Sequence, residues 1–247
     1  MKTIIELQPT LRAVLCKITG MRKRSILLLF LAPLLLLTSA PAQTHSILEK
    51  IEWTWADRPE HPDPKLPNVL LIGDSITRAY YPETSRLLDG KANCYLFATS
   101  ASSVDPRLIR QIANLSDIMP ANFAVIHFNN GMHGWGYTEQ QYGQGLPAFL
   151  VAVRKLSPSA TLIWASTTPV RKPTSAGATN DRVHQRNQLA LAVMKGAHVT
   201  IDDQEALMLQ HQDLHQDDVH FTPAGSAIQA QQVAKYILEA LSKSQKQ

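Results

Sequence analysis

Cysteine is nearly absent: the 247-residue chain has two, Cys16 and Cys94. Long apolar runs are as scarce. The one candidate, Ile26 to Leu37, is interrupted by Pro33 and is twelve residues long, against the roughly 20 that a membrane-spanning helix needs. Charge is thin, 18% of residues, and forms no basic stripe, which removes the electrostatic case for nucleic acid. Internal repeats and low-complexity tracts are missing too, which excludes solenoids and biased, unstructured sequences.

What is present begins with a leader. Arg22-Lys23-Arg24 is a positive n-region, Ile26 to Leu37 an apolar h-region, and Ala40-Pro-Ala42 supplies small residues for cleavage, so the mature chain is expected to start at Gln43. Either Met1 or Met21 can be the start. No cysteine stands at the cleavage point, which argues against a lipid anchor, and the chain is expected to be exported, to the periplasm or beyond, without a stable membrane anchor. The cut changes the charge. Of 24 Lys/Arg and 20 Asp/Glu, residues 1–42 hold six bases (Lys2, Arg12, Lys17, Arg22, Lys23, Arg24) and one acid (Glu6), leaving 18 against 19. Cys16 leaves with the leader, so Cys94 has no intrachain partner in spite of an oxidising compartment, and burial in a core strand is expected for it.

The remainder, about 205 residues, is enough for one domain with a sizeable core. Residues 43–67 read as a lead-in. Trp53 and Trp55 are candidates to pack over the domain, and Pro59, Pro62, Pro64 and Pro67 forbid helix and favour an extended surface path. From residue 68 to 247 strand and helix signals alternate. Strands are expected at Val69–Ile72, Cys94–Ala98, Phe123–Phe128, Thr161–Ala165 and Val199–Asp202. Helices are expected at Thr77–Leu88, Pro106–Leu115, Glu139–Leu156, Asp181–Lys195 and Pro223–Leu241. Thr138 with Gln141 matches a capping box, and Thr222-Pro223 a cap followed by proline at the first helical position. Such alternation implies an α/β fold, a five-stranded, mainly parallel sheet between two helix layers.

Two motifs carry chemistry. The first, Asn68-Val-Leu-Leu-Ile-Gly-Asp-Ser-Ile-Thr77, is a buried strand ending abruptly in Gly73-Asp74-Ser75. A serine there, at the carboxyl end of a strand and the start of a helix, sits where open α/β sheets place ligands. It serves equally well as a helix cap. The second motif, Asp217-Asp-Val-His-Phe-Thr-Pro-Ala-Gly225, supplies what a weak hydroxyl nucleophile needs: His220 as a base and Asp217 to orient it. Gly-Asp-Ser near the mature start and Asp-x-x-His near the end, in this order, resemble the SGNH (GDSL-type) hydrolase family from Asn68 onward. The resemblance implies the three-layer, flavodoxin-like α/β/α fold. It also implies a serine esterase or acylhydrolase with Ser75, His220 and Asp217 as triad, no cofactor, and a small-molecule or polysaccharide ester as substrate. A small acyl group such as acetyl on carbohydrate is preferred, because the short chain leaves little room for a large lid.

The family adds oxyanion donors from two further blocks, and here the sequence departs from it. Where the family has glycine after the second strand, this chain reads Ala98-Thr-Ser-Ala-Ser-Ser103, and Ser100 is the expected N–H donor. Where the family has Gly-x-Asn-Asp after the third, it reads Asn129-Asn-Gly-Met-His-Gly-Trp135. Aligning Gly131 with the family glycine puts His133 at the asparagine position, and an imidazole can donate. Asn129, Asn130 and His133 all remain open as the side-chain donor. Trp135, Gly136 and Tyr137 could wall the site, and Thr167, Thr168 and Pro169 could line it.

Two other readings stand beside this one. His211 and His215 are four apart, as on one face of a helix, with Asp213, Asp217 and Asp218 near, which suits a metal-dependent hydrolase. No glutamate lies between them to act as base, so no metal ligand is assigned. A non-catalytic, carbohydrate-binding relative that kept the fold is the other.

Overall fold

Residues 45–244 are described by a computed structural model; the expected leader, with its cleavage point and Cys16, lies outside the described residues. Among the described residues the sheet has six strands: β1 (Thr54–Asp57), β2 (Asn68–Gly73), β3 (Asn93–Thr99), β4 (Phe123–Phe128), β5 (Thr161–Ala165) and β6 (Thr200–Asp202), in the spatial order β1-β3-β2-β4-β5-β6. The last five are parallel, as expected. β1 is an addition: four residues of the presumed lead-in pair antiparallel with β3, Thr54 opposite Thr99 and Asp57 opposite Leu96. They cover an edge that would otherwise expose unpaired N–H and C=O groups.

Alternation along the strands builds two cores. From β2, Leu70 and Ile72 face one layer, Val69 and Leu71 the other. The first layer holds α2 (Pro106–Ala113), α3 (Leu115–Ile118), α4 (Glu139–Leu156) and α5 (Asn180–Gly196), packed through residues such as Leu108, Leu146, Phe149 and Met194. The second holds α1 (Ser75–Leu87) and α7 (Pro223–Ser244), packed through Ile76, Tyr80, Val233 and Ile237. A short α6 (Gln204–Leu209) precedes the last crossing. This is the expected α/β/α sandwich, and each expected helix is present to within three residues at its ends. Thr138 and Gln141 form the reciprocal capping box of α4, and Pro223 opens α7 behind Thr222. Cys94 is buried in β3, and burial pushes its thiol up to about 12. Among the described residues no helix is long and apolar enough to cross a membrane.

The chain runs from β2 outward to β3, then returns to the other side of β2 with β4. The strand order therefore reverses between β2 and β4, and the loops leaving their carboxyl ends face one crevice.

Candidate active site

β2 delivers the first side chain. Asp74 is the N-cap of α1, its carboxylate accepting the Ile76 N–H at 2.9 Å. Ser75, next in line, is the first helical residue and so keeps its hydroxyl for other use. Nucleophile and cap, alternatives on paper, are two adjacent residues. Gly73 does not owe its place to a left-handed backbone. A Cβ built there would lie 2.0 Å from Thr77 Oγ1, because α1 turns back over the strand end.

The partner arrives from the loop before α7. Ser75 Oγ lies 2.7 Å from His220 Nε2, and His220 Nδ1 lies 2.9 Å from Asp217 Oδ2. The other Asp217 oxygen accepts the N–H groups of Val219 and His220 at 2.8 and 2.7 Å. Desolvation works to raise the Asp217 carboxyl, but the hydrogen bonds from these two N–H groups and from the ring prevail and lower it to about 2. The loop itself is closed by Gln216 N–H donating to the His220 carbonyl at 2.8 Å and Thr222 N–H to that of Leu214, also at 2.8 Å.

His211 and His215 do not form the one-faced pair read from their spacing. α6 ends at Leu209, His211 caps a separate 3-10 turn (Gln212–Leu214), and His215 is extended. Both ring nitrogens of His215 meet backbone carbonyls, Gln212 at 3.0 Å and Pro169 at 3.2 Å, and its ring packs on Phe221. Among the described residues no three His, Cys, Asp or Glu side chains gather as a metal-binding group.

The four expected oxyanion residues separate cleanly by what they already bond. Ser100 requires correction: its N–H donates to the Trp53 carbonyl at 3.1 Å, where the chain enters β1, and its hydroxyl donates to Glu52 Oε2 at 2.7 Å. Asn129 spends its amide on the Ala165 carbonyl and Thr167 Oγ1, at 2.7 and 3.2 Å, tying β4 to β5. Asn130 staples two loops, donating to the Ala101 carbonyl at 2.9 Å and accepting the Ser103 N–H at 2.6 Å. Of the four, His133 alone keeps a buried side-chain nitrogen, Nε2, without a partner among the described residues. Its Nδ1 is 2.9 Å from Glu49 Oε2. Beside it, Ser102 packs against Gly134, where a Cβ would lie 2.4 Å from that of Ser102 and where a φ of +72° independently favours glycine. Among the described residues nothing accepts from Ser102 Oγ or from its backbone N–H.

Three supports of this site escape sequence reading. Glu49 grips the 131–134 loop with both oxygens, one on His133 and the other accepting the Gly134 N–H at 2.8 Å. Arg186 of α5 is fully buried and donates to the carbonyls of Gly131, His133 and Gly134 at 2.8 to 2.9 Å, its guanidinium 3.8 Å from the Trp135 ring centre. Burial lowers Arg186 to about 10, which leaves it charged at neutral pH. Asn187 clasps Thr167 through both N–H and C=O, at 2.8 Å each. Trp135 is thus mostly a platform for Arg186, and Tyr137 a buried anchor whose hydroxyl accepts the Ile47 N–H. A cleft of about 630 Å³, lined by Glu49, Trp53, Gly134, Trp135 and Ser175 among others, opens beside the loop.

Residues 71–228 match the sequence profile of the GDSL-like lipase/acylhydrolase family. No curated protein matches the chain in sequence. Solved structures do match in fold. An acetyl xylan esterase, AlAXEase, is 15% identical, with 69% of this chain and 99% of that one covered and a TM-score of 0.54. A carbohydrate esterase family 3 protein from Talaromyces cellulolyticus is 15% identical, covering 72% and 99%, with a TM-score of 0.57. The aryl esterase of M. smegmatis is 12% identical, covering 70% and 99%, with a TM-score of 0.55.

Proposed function

The chain belongs to the GDSL-like lipase/acylhydrolase family and is a hydrolase of ester bonds, and from that premise we propose that it works as an exported serine esterase through Ser75, His220 and Asp217. The observation that carries this reading is the unbroken relay: 2.7 Å from Ser75 Oγ to His220 Nε2 and 2.9 Å from His220 Nδ1 to Asp217.

Ser75 Oγ attacks the ester carbonyl while its proton passes to His220 Nε2. Asp217, ionised at any working pH, holds Nδ1–H and stabilises the imidazolium. The tetrahedral oxyanion is met by the Ser75 N–H, which as the first of the helix has no intrahelical acceptor. The His133 ring and the Ser102 N–H, which takes the place expected of Ser100, are the further donors. Collapse breaks the bond to the alcohol oxygen, which takes the proton from His220 and leaves an acyl-Ser75. Water, deprotonated by His220, then releases the acid.

A small acyl group on a carbohydrate is the preferred substrate. The support is that structural neighbours include an acetyl xylan esterase and a carbohydrate esterase family 3 protein. Cleavage after Ala42 would leave Glu49 in the mature chain; mass spectrometry of the secreted protein checks it. The mechanism is tested on a short-chain chromogenic ester and on acetylated xylan. Activity lost in Ser75→Ala and indifferent to a chelator supports it. Activity that survives in Ser75→Ala sinks it.

A further inference from the structure

We propose that His133 acts as an imidazolium, its Nε2–H a charged oxyanion donor, and that Glu49, brought in by the segment before β1, is the residue that positions it. The proposal rests on the serine-esterase reading and concerns the same site.

The reasoning turns on which ring atom carries hydrogen. Nδ1 faces a carboxylate oxygen at 2.9 Å, and a carboxylate can only accept, so Nδ1 bears its proton. A neutral ring with that tautomer would present a bare lone pair at Nε2. A lone pair repels an oxyanion; only the doubly protonated ring donates there. Nε2 is buried and, among the described residues, unpartnered, the state of a donor waiting for an acceptor that substrate supplies. Its loop is fixed from behind by the three Arg186 bonds to its carbonyls and from the side by Glu49 on the Gly134 N–H.

The charges around the ring favour its cationic form. Glu49 and Glu52 face it from the segment before β1, and Asp74, the neighbour of Ser75, from the start of α1. Arg186 opposes them, but bonds backbone carbonyls rather than the ring. Trp53 supplies an edge contact at 5.8 Å. Burial works to lower the ring, and the Glu49 hydrogen bond with the three carboxylates prevails to raise it. Burial works equally to raise the Glu49 carboxyl, and His133 and the Gly134 N–H prevail to lower it. Each partner thus favours the charged form of the other. The reaction balance is unchanged, since His133 holds its proton throughout: electrons move from Ser75 Oγ to the carbonyl carbon and on to the carbonyl oxygen, which Nε2–H meets.

The test is a set of pH–rate profiles on a short-chain chromogenic ester for the full mature chain, Glu49→Gln, His133→Asn, His133→Ala and Ser75→Ala, with histidine titration by NMR. Losing one oxyanion donor costs ~10²–10³ in kcat, so His133→Ala is expected in that range and Glu49→Gln at about tenfold, with KM little changed. The parent should lose kcat on the alkaline side as His133 deprotonates. Glu49→Gln should move that loss to lower pH, and His133→Asn, whose amide does not titrate, should recover activity over His133→Ala without it. A Glu49→Gln profile superimposable on the parent, with Ser75→Ala inactive, overturns the inference and leaves the serine mechanism standing. An active Ser75→Ala overturns both. In the unmutated chain, the His133 ring should titrate above an ordinary histidine and its Nε2 resonance should shift when a phosphonate occupies Ser75. A ring already neutral below the ordinary histidine value overturns the proposal whether or not the variants fold.

Discussion

Asp217 is half-exposed and still a well-held orienter, because its oxygens divide the work: Oδ1 takes two backbone N–H groups, Oδ2 takes the ring. Asp217→Asn should therefore leave the fold intact by circular dichroism and lower kcat by ~10²–10⁴, since an amide offers the wrong partner to Nδ1–H. Its carboxyl is lowered from an ordinary 3.8 to about 2. A lowered acid stabilises the fold above its unfolded value, and that contribution is lost as pH falls from 3.8 toward about 2. Urea titrations of the parent and Asp217→Asn should converge across that window, by a small amount because solvent screens the site. These residues were legible in the sequence because each contact within a motif is local: Asp217 and His220 are three residues apart, and Ser75 follows its strand directly. His133 was legible only as one of three, because a loop's hydrogen-bond partners are not written in the loop.

At the scale of elements, the segment from Glu49 to β1 does two jobs that composition concealed. Its strand covers the β3 edge, and its glutamates hold the loops after β3 and β4. A chain begun after Asp57 should lose most activity and associate through the bared edge, read by size-exclusion chromatography against a chain begun at Gln43. Glu49 was illegible for a plain reason: it meets His133 across 84 residues, and no spacing rule reaches that far. Arg186 was hidden differently, as one charge among many on α5. Arg186→Lys should cost about 3 kcal/mol and depress kcat, since a compact ammonium does not reproduce the planar fork whose two nitrogens reach three buried carbonyls; denaturant midpoints measure it. Gly73→Ala should cost ~1–3 kcal/mol by overpacking against Thr77 and reduce activity further, because the displaced turn carries Ser75.

Across the whole molecule, the two cores on either face of the sheet leave Cys94 enclosed and, among the described residues, without a disulfide partner. Thermal unfolding of the mature chain should be indifferent to reductant. A thiol reagent should find nothing in the native protein and one equivalent after denaturation, which also reports removal of Cys16 with the leader. The parallel sheet places the carboxyl ends of β2 and β4 side by side. That alone brings Asp74 and Ser75 to the crevice where His133 and its loop arrive.

What the amino-acid order determined by itself was whatever depends on short-range pattern. Short apolar runs alternating with helical stretches marked five strands and their helices, capping residues marked two of the helix starts, and two compact motifs supplied the proposed nucleophile, base and orienter. Tertiary structure decided the rest. A fourth residue of the proposed site, the His133 imidazole, was selected from its neighbours by their prior hydrogen bonds. β1 became a strand because an open edge lay beside it, not because Thr-Trp-Ala-Asp demands extension. Glu49 became part of the site because the same pairing carries the chain before β1 past the ends of β3 and β4. Such contacts join residues far apart in sequence, and their free energy exists only once the sheet has brought them together.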